Sequence, residues 1–179
     1  MHYPSLCYNS SIELQRGETM RIREITAQDY DALWRIFHEV VAKGDTYAYP
    51  RETTQIEAIE LWVNYPRKTY VVEEEGQVIG TYYIKTNQVG QGSHVCNCGY
   101  MVSRHARGKG VASMMCEHSQ KIAKELGYKA MQFNFVSSSN TGALSLWKKL
   151  GFEQVGQLPK AFDHPALGYI DAVVMYKWL

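Results

Sequence analysis

The sequence predicts a mixed α/β domain built on a mostly antiparallel sheet, and three observations carry that prediction. A β-rich run doubles back on itself through a Glu/Gly turn in "TYVVEEEGQVIGTYYIKT", the pattern of a hairpin. A later passage alternates strand, helix and strand, which demands a crossover between parallel neighbours. Finally, 179 residues with 45% hydrophobic content suit one domain with a sizeable core.

The elements follow in order. "MRIREIT" alternates apolar and charged residues as a short strand, and Thr26 with Asp29 three residues on resembles a capping box. Leu33, Ile36, Phe37, Val40 and Val41 then form one helical stripe, with Gly44 available to end it. "TTQIEAIELWVNY" is a second helix stopped before Pro66. After the hairpin, "SHVCNCGYMVS" is a strand interrupted by Gly99, where a bulge is expected. Val111, Met115, Ile122 and Leu126 mark a long helix closed by Gly127, and "KAMQFNFVSSS" is the next strand. "NTGALSLWKKLGF" is a short helix closed by Gly151, and "EQVGQLPKAF" and "YIDAVVMYKWL" finish the chain as strands. No repeat, low-complexity tract or linker divides residues 20–179, so they read as a single domain. Residues 1–19 read as an extension preceding it.

Composition excludes several classes. Lys plus Arg is 19 and Asp plus Glu is 18, a net charge of +1, which argues against a nucleic-acid partner. Cys96 and Cys98 lie two apart, so they share one side of a strand and do not bridge. No CxxC pair with a distant partner occurs, so no metal is expected. Free thiols, no apolar run long enough to span a bilayer, and residues 1–19 without the pattern of a signal peptide fit a cytoplasmic protein with no membrane partner.

"RHARGKGVAS", residues 104–113, sits between a strand and a long helix. It is either a solvated basic turn or a cradle for an anion. Gly108 and Gly110 permit a tight turn and close backbone approach. The helix that follows presents N–H groups without intrahelical partners, plus the positive end of its dipole. The turn contains no Ser, Thr, Asp or Asn to cap it, as expected where an external anion does so. Neither GxxxxGK[ST] nor GxGxxG fits, because Val111 follows Gly110 and no third glycine appears in place.

"RGKGVA", residues 107–112, resembles the (Q/R)-x-x-G-x-(G/A) signature of the GNAT superfamily of N-acetyltransferases. "NTGALSLWKKLGFEQVG" resembles the same family's Asn-x-x-Ala-x-x-x-aromatic-x-x-x-Gly-Phe segment, and the order of elements over residues 20–179 agrees. The resemblance implies a sheet with helices on both faces and a V-shaped splay between its fourth and fifth strands. It implies acetyl-CoA as co-substrate, with its pyrophosphate on the backbone of Arg107, Gly108, Lys109, Gly110, Val111 and Ala112. Arg104, Arg107 and Lys109 are expected to add to the field. The pantetheine arm is expected to pair along Tyr100, Met101 and Val102 and to meet Asn140, and Val102 is implied as the backbone oxyanion donor. Many relatives carry a proton-donating Tyr where this chain has Trp147. An indole N–H does not transfer its proton near neutral pH, so Trp147 reads as core or cofactor wall. The general base is left open among His94, His105, His118, His38, Asp45 and Glu73, with His118 expected at the surface.

For the acceptor, Asn97 and Asn134 fall on strands beside the expected splay, where Asn is disfavoured. They read either as local structural bonds or as groups that orient a small polar acceptor. Together with "LPKAFDHP", they also resemble GNAT enzymes acting on small amino acids and proline analogues. In "AKGDTYAYPRET", Tyr47 and Tyr49 either pack or line the acceptor pocket, and Asp45 is a candidate for the ammonium group. The reading is N-acetylation of a small-molecule amine or amino acid by direct attack, in a homodimer. The alternatives are acetylation of a protein N-terminus or lysine, and a non-catalytic acyl-CoA sensor.

Overall fold

The computed structural model describes residues 20–179; the extension assigned to residues 1–19 lies outside the described residues. The elements are β1 (Arg21–Glu24), α1 (Tyr30–Val41), α2 (Gln55–Ile59), β2 (Lys68–Glu74), β3 (Gln77–Thr86), β4 (Val95–Val102), α3 (Val111–Glu125), β5 (Ala130–Ser137), α4 (Thr141–Lys149), β6 (Glu153–His164) and β7 (Gly168–Trp178). They form one seven-stranded sheet in the order β1-β2-β3-β4-β5-β7-β6. Every neighbouring pair is antiparallel except β4 and β5, joined in parallel by the α3 crossover.

Alternation along the strands feeds two cores. Tyr82 and Ile84 of β3, with Cys96 and Cys98 of β4, pack under α3 and α4. Tyr83 and Met101 face the other way, against the α1 stripe of Leu33, Ile36, Phe37, Val40 and Val41 and against Trp62. Helices therefore cover both faces. Cys96, Cys98 and Cys116 are buried free thiols, as the spacing of the first two requires.

Local signals act as expected at several ends. The Asp29 carboxylate accepts from the Thr26 N–H at 2.8 Å and hydroxyl at 2.9 Å, closing a short turn before α1. Arg23 clamps the same carboxylate through both terminal nitrogens at 2.7 Å. Gly44 (φ +67°) follows α1 and its N–H donates to the Val41 carbonyl. The β2–β3 hairpin turns on Glu75 and Gly76, both at positive φ.

Three features differ from the sequence-based expectation. The second helix is α-helical only over Gln55–Ile59 and continues as a wider π turn over Glu60–Asn64. That turn carries Trp62 into the core, where its indole N–H donates to the Thr81 hydroxyl at 3.1 Å. Secondly, β4 has no bulge at Gly99, for its register against β3 is unbroken from Gly80↔Val102 to Thr86↔Cys96. A Cβ at Gly99 would lie 2.5 Å from Tyr83 Cε1 and 3.1 Å from Trp62 Cη2, so close aromatic packing is what demands glycine there. Thirdly, His118 is half-buried rather than a surface residue, with Nδ1 2.5 Å from the Tyr82 hydroxyl. Its position falls between Met115 and Ile122 on the buried stripe of α3, and burial lowers its pKa.

Candidate active site

The site begins where β4 and β5 part. They pair only over Val95–Asn97 and Ala130–Gln132. The Asn87 N–H donates to the Val95 carbonyl and the Ser103 N–H to the Ile79 carbonyl, each at 2.9 Å. Alternation therefore gives Asn97, Gly99 and Met101 backbone bonds to β3, and turns those of Cys98, Tyr100 and Val102 toward the gap. Of the expected pantetheine positions, Tyr100 and Val102 present their N–H and C=O groups to the gap. Met101 does not, because its backbone faces Thr81 and its side chain is buried.

One side chain marks the end of the parallel ladder. The next ladder bond would join the Cys98 N–H to the Gln132 carbonyl, but Asn97 Nδ2 donates to that carbonyl at 2.9 Å. Asn97 Oδ1 accepts from the Tyr83 hydroxyl at 3.1 Å, so Asn97 is fixed at both ends. Across the gap, the Tyr47 hydroxyl donates to the Tyr100 carbonyl and accepts from the Tyr100 N–H, each at 2.8 Å. It meets the strand edge as a neighbouring backbone would.

At the far end of the gap, "RGKG" forms an open turn. Gly108 (φ +79°) and Gly110 (φ +83°) are left-handed, and a Cβ built on either meets nothing within 4 Å. Gly110 occupies the N-cap of α3 with no side-chain cap. The first helical bond runs from the Met114 N–H to the Gly110 carbonyl at 3.0 Å. The amides of Val111, Ala112 and Ser113 thus precede it, at the positive end of a 15-residue helix. Such a turn fits a phosphate by donors, dipole and space together. The basic side chains are mostly occupied elsewhere: Lys109 Nζ is 2.9 Å from Glu74 Oε2, and Arg104 Nε donates to His105 Nε2 at 3.1 Å. Arg107 is exposed at the turn.

A cleft of about 940 Å³ joins the turn to the gap and runs on to the connection after α1. Asn140 lines it at the N-cap of α4, its Oδ1 accepting from the Ala143 N–H at 3.2 Å and its Nδ2 remaining as a donor. Trp147 is a wall: it is 7% exposed, with ring centroids 5.0 Å from Tyr100 and 5.1 Å from Phe133. Tyr47 and Tyr49 stack at 5.6 Å. Burial pushes the hydroxyls of Tyr47 and Tyr83 far above the ordinary tyrosine range, so both stay protonated.

The structure brings Asp45, Tyr47, Tyr49, Asn97 and Asn134 to this cleft. Asp45 Oδ1 accepts from the Thr46 hydroxyl at 2.8 Å. Asn134 is exposed, with Nδ2 donating to Asn87 Oδ1 at 2.7 Å and Oδ1 accepting from Gln132 at 2.9 Å. Of the base candidates, only Asp45 lines the cleft; His38, His94, His105, His118 and Glu73 do not. Two cleft residues are not named as site candidates by the sequence, although the first lies in "LPKAFDHP". His164, at the end of β6, accepts from the Ala166 and Leu167 N–H groups through Nδ1 at 3.2 Å, which leaves its proton on Nε2. Lys85, at the end of β3, reads as an ordinary strand lysine until its cross-strand neighbours are known. No group of metal-ligating side chains occurs among the described residues.

Comparison with known proteins agrees with this geometry. The acetyltransferase (GNAT) family matches residues 28–152. The N-acetyltransferase aca1 of Schizosaccharomyces pombe is 32% identical over 109 residues, which are 59% of this chain and 51% of that protein. The chain therefore spans about half the length of that relative. The uncharacterized N-acetyltransferase YjgM of Escherichia coli is 30% identical over 142 residues, covering 75% of this chain and 82% of its own. A GCN5-related N-acetyltransferase from Kribbella flavida superposes with a TM-score of 0.85 at 37% identity, covering 89% of this chain and 98% of that one. A phosphinothricin acetyltransferase from Sinorhizobium meliloti, solved in complex with acetyl-CoA, shares the fold at a TM-score of 0.80 and 20% identity, over 89% of this chain and 88% of its own. Strand order, gap, glycine turn and sequence relatives converge, and the chain belongs to the acetyltransferase (GNAT) family.

Proposed function

We propose that the chain transfers the acetyl group of acetyl-CoA to the amine of a small molecule or amino acid by direct attack in a ternary complex. The observation that carries this is one continuous cleft with three chemically different parts. An anion cradle lies at Gly108–Gly110, strand edge without a backbone partner follows at Cys98–Val102 with the Tyr47 hydroxyl on Tyr100, and a polar aromatic pocket closes the other end.

Each part has a task. The amides from Arg107 to Ala112 hold the pyrophosphate, aided by the α3 dipole. The Val102 edge, with Asn140 Nδ2, holds the pantetheine arm, beside the Tyr100 edge that the Tyr47 hydroxyl occupies. The co-substrate supplies a thioester carbonyl. The Val102 N–H, turned into the gap, donates to that carbonyl oxygen as charge develops on it. Trp147 and Phe133 shield the thioester from water. Asp45 attracts the acceptor's ammonium form, and its carboxylate or solvent takes the proton before attack. No strong acid is needed on the leaving side, because a thiol with a pKa of about 8.5 leaves readily.

A small acceptor is favoured over a protein because the 45–49 connection is pinned to β4 through the Tyr47–Tyr100 bonds, closing the pocket on that side. The reading includes a cytoplasmic homodimer. Exposed Val155, Leu158 and Tyr169 on the β6–β7 hairpin supply apolar surface for a partner copy, which sedimentation tests.

The deciding experiment is thiol release from acetyl-CoA against free amino acids, proline analogues, polyamines, aminoglycosides and amino-terminal peptides. Turnover on a small amine and not on peptides is expected. Turnover confined to peptides overturns the acceptor class, and binding of acetyl-CoA with no acetylated product overturns the enzyme.

A further inference from the structure

Lys85 stands opposite Asn97 in the β3–β4 register, so its side chain shares a sheet face with Tyr83 and Asn97 and lines the cleft. It is half-buried, with Nζ 5.2 Å from the Tyr65 ring centroid and 5.4 Å from that of Tyr83. Lys85 takes part in none of the ion pairs found among the described residues. A partly desolvated ammonium held only by ring faces is incompletely compensated. Desolvation accordingly lowers its pKa. The surface lysines Lys68 and Lys109, by contrast, each hold a glutamate.

The rest of the cleft tells what would complete it. His164 and Asp45 line the same cleft. The acceptor end therefore offers a cation and an imidazole alongside a single anion. A plain amine or polyamine would satisfy Asp45 and leave Lys85 unpaired. A molecule carrying both an amine and a carboxylate satisfies both. Charge-assisted hydrogen bonds of this kind are about twice as strong as neutral ones, so the pairing discriminates between acceptors.

We propose that Lys85 anchors a carboxylate of the acceptor, so that the acetyl group goes to the amine of an amino acid rather than to an uncharged or polycationic amine. This rests on the acetyltransferase reading above.

The test uses matched acceptors: an amino acid, its primary amide and the corresponding decarboxylated amine. Each is assayed with the unmodified protein, Lys85→Met and Lys85→Arg. The unmodified protein is expected to favour the acid over the amide by about 10-fold or more in kcat/KM. Lys85→Met is expected to raise KM for the acid about 10-fold or more, with kcat changed less than about threefold, and to bring the acid-to-amide ratio near one. Lys85→Arg is expected to keep most of the preference, which a loss of packing alone would not allow. Acetyl-CoA affinity by calorimetry should match in all three forms. An acid-to-amide ratio that Lys85→Met leaves unaltered overturns the proposal, as does an unmodified protein that takes amides and acids equally. Neither result touches the acetyltransferase reading, which falls only if no acceptor of any kind is acetylated.

Discussion

Asn97 Nδ2 donates to the main-chain carbonyl of Gln132 at 2.9 Å, taking the acceptor that the Cys98 N–H would use if β4 and β5 stayed paired. The splay thus begins at a side chain that ends the ladder one bond early. Asn97→Leu removes the competitor and lets the Cys98 amide close on Gln132. The expected outcome is a narrower gap, acetyl-CoA affinity weakened about 10-fold, and slower amide exchange at Cys98 in hydrogen-exchange mass spectrometry. If the substitution instead raises only the KM of the acceptor, Asn97 acts as an acceptor contact and the ladder account fails.

Gly110 sits at φ +83° at the start of α3 with open space around its missing side chain. Gly110→Asp places a carboxylate where the phosphate charge is to be held, and adds like-charge repulsion to backbone strain. We expect at least a 100-fold loss of acetyl-CoA affinity by calorimetry with the melting temperature nearly unchanged. Gly110→Asn tolerates the same φ without the charge and should lose far less. Equal losses in both would assign the effect to backbone geometry alone.

The parts legible in the sequence were those set by local rules. Apolar spacing located α1 and α3, the Glu/Gly turn located the hairpin, and two glycines before an uncapped helix marked the turn proposed to hold the pyrophosphate. His118 is legible too, since positions 111, 115, 118 and 122 form one stripe, although a polar name on an apolar face suggests the surface. What stayed hidden depends on neighbours distant in the chain. Gly99 is explained only by Tyr83 and Trp62, Asn97 only by the β4–β5 register, and Lys85 only by the face it shares with them.

The account of Gly99 makes its own prediction. A Cβ there would stand 2.5 Å from Tyr83 Cε1, and the ring is held edge-on by Trp62 at a centroid distance of 4.7 Å. Gly99→Ala should therefore overpack the core and cost about 1–3 kcal/mol in urea unfolding. Combining it with Tyr83→Ala should recover part of that cost, giving a clear coupling in a double-mutant cycle. Strictly additive losses would mean that the ring is not what excludes the methyl group.

Stability in acid should hinge on Asp29. The paired Arg23 guanidinium is the main cause that holds its carboxyl at about 2 against an ordinary 3.8, assisted by the Thr26 bonds. The folded-state value lies below the unfolded one, so the unfolded chain takes up the proton first as pH falls. The stabilisation is complete above about 4 and disappears between there and about 2. The Asp29 side chain is only 8% exposed, so screening by solvent is limited, and its contribution is about 1–2 kcal/mol. Asp29→Asn removes both the charge and this titration. Urea midpoints measured from pH 6 to pH 2.5 should show the variant weaker at neutral pH and converging on the unmodified protein at the acid end. Parallel curves across the whole range would place the acid sensitivity in other carboxylates, with Glu73, the second partner of Arg23, the first to examine.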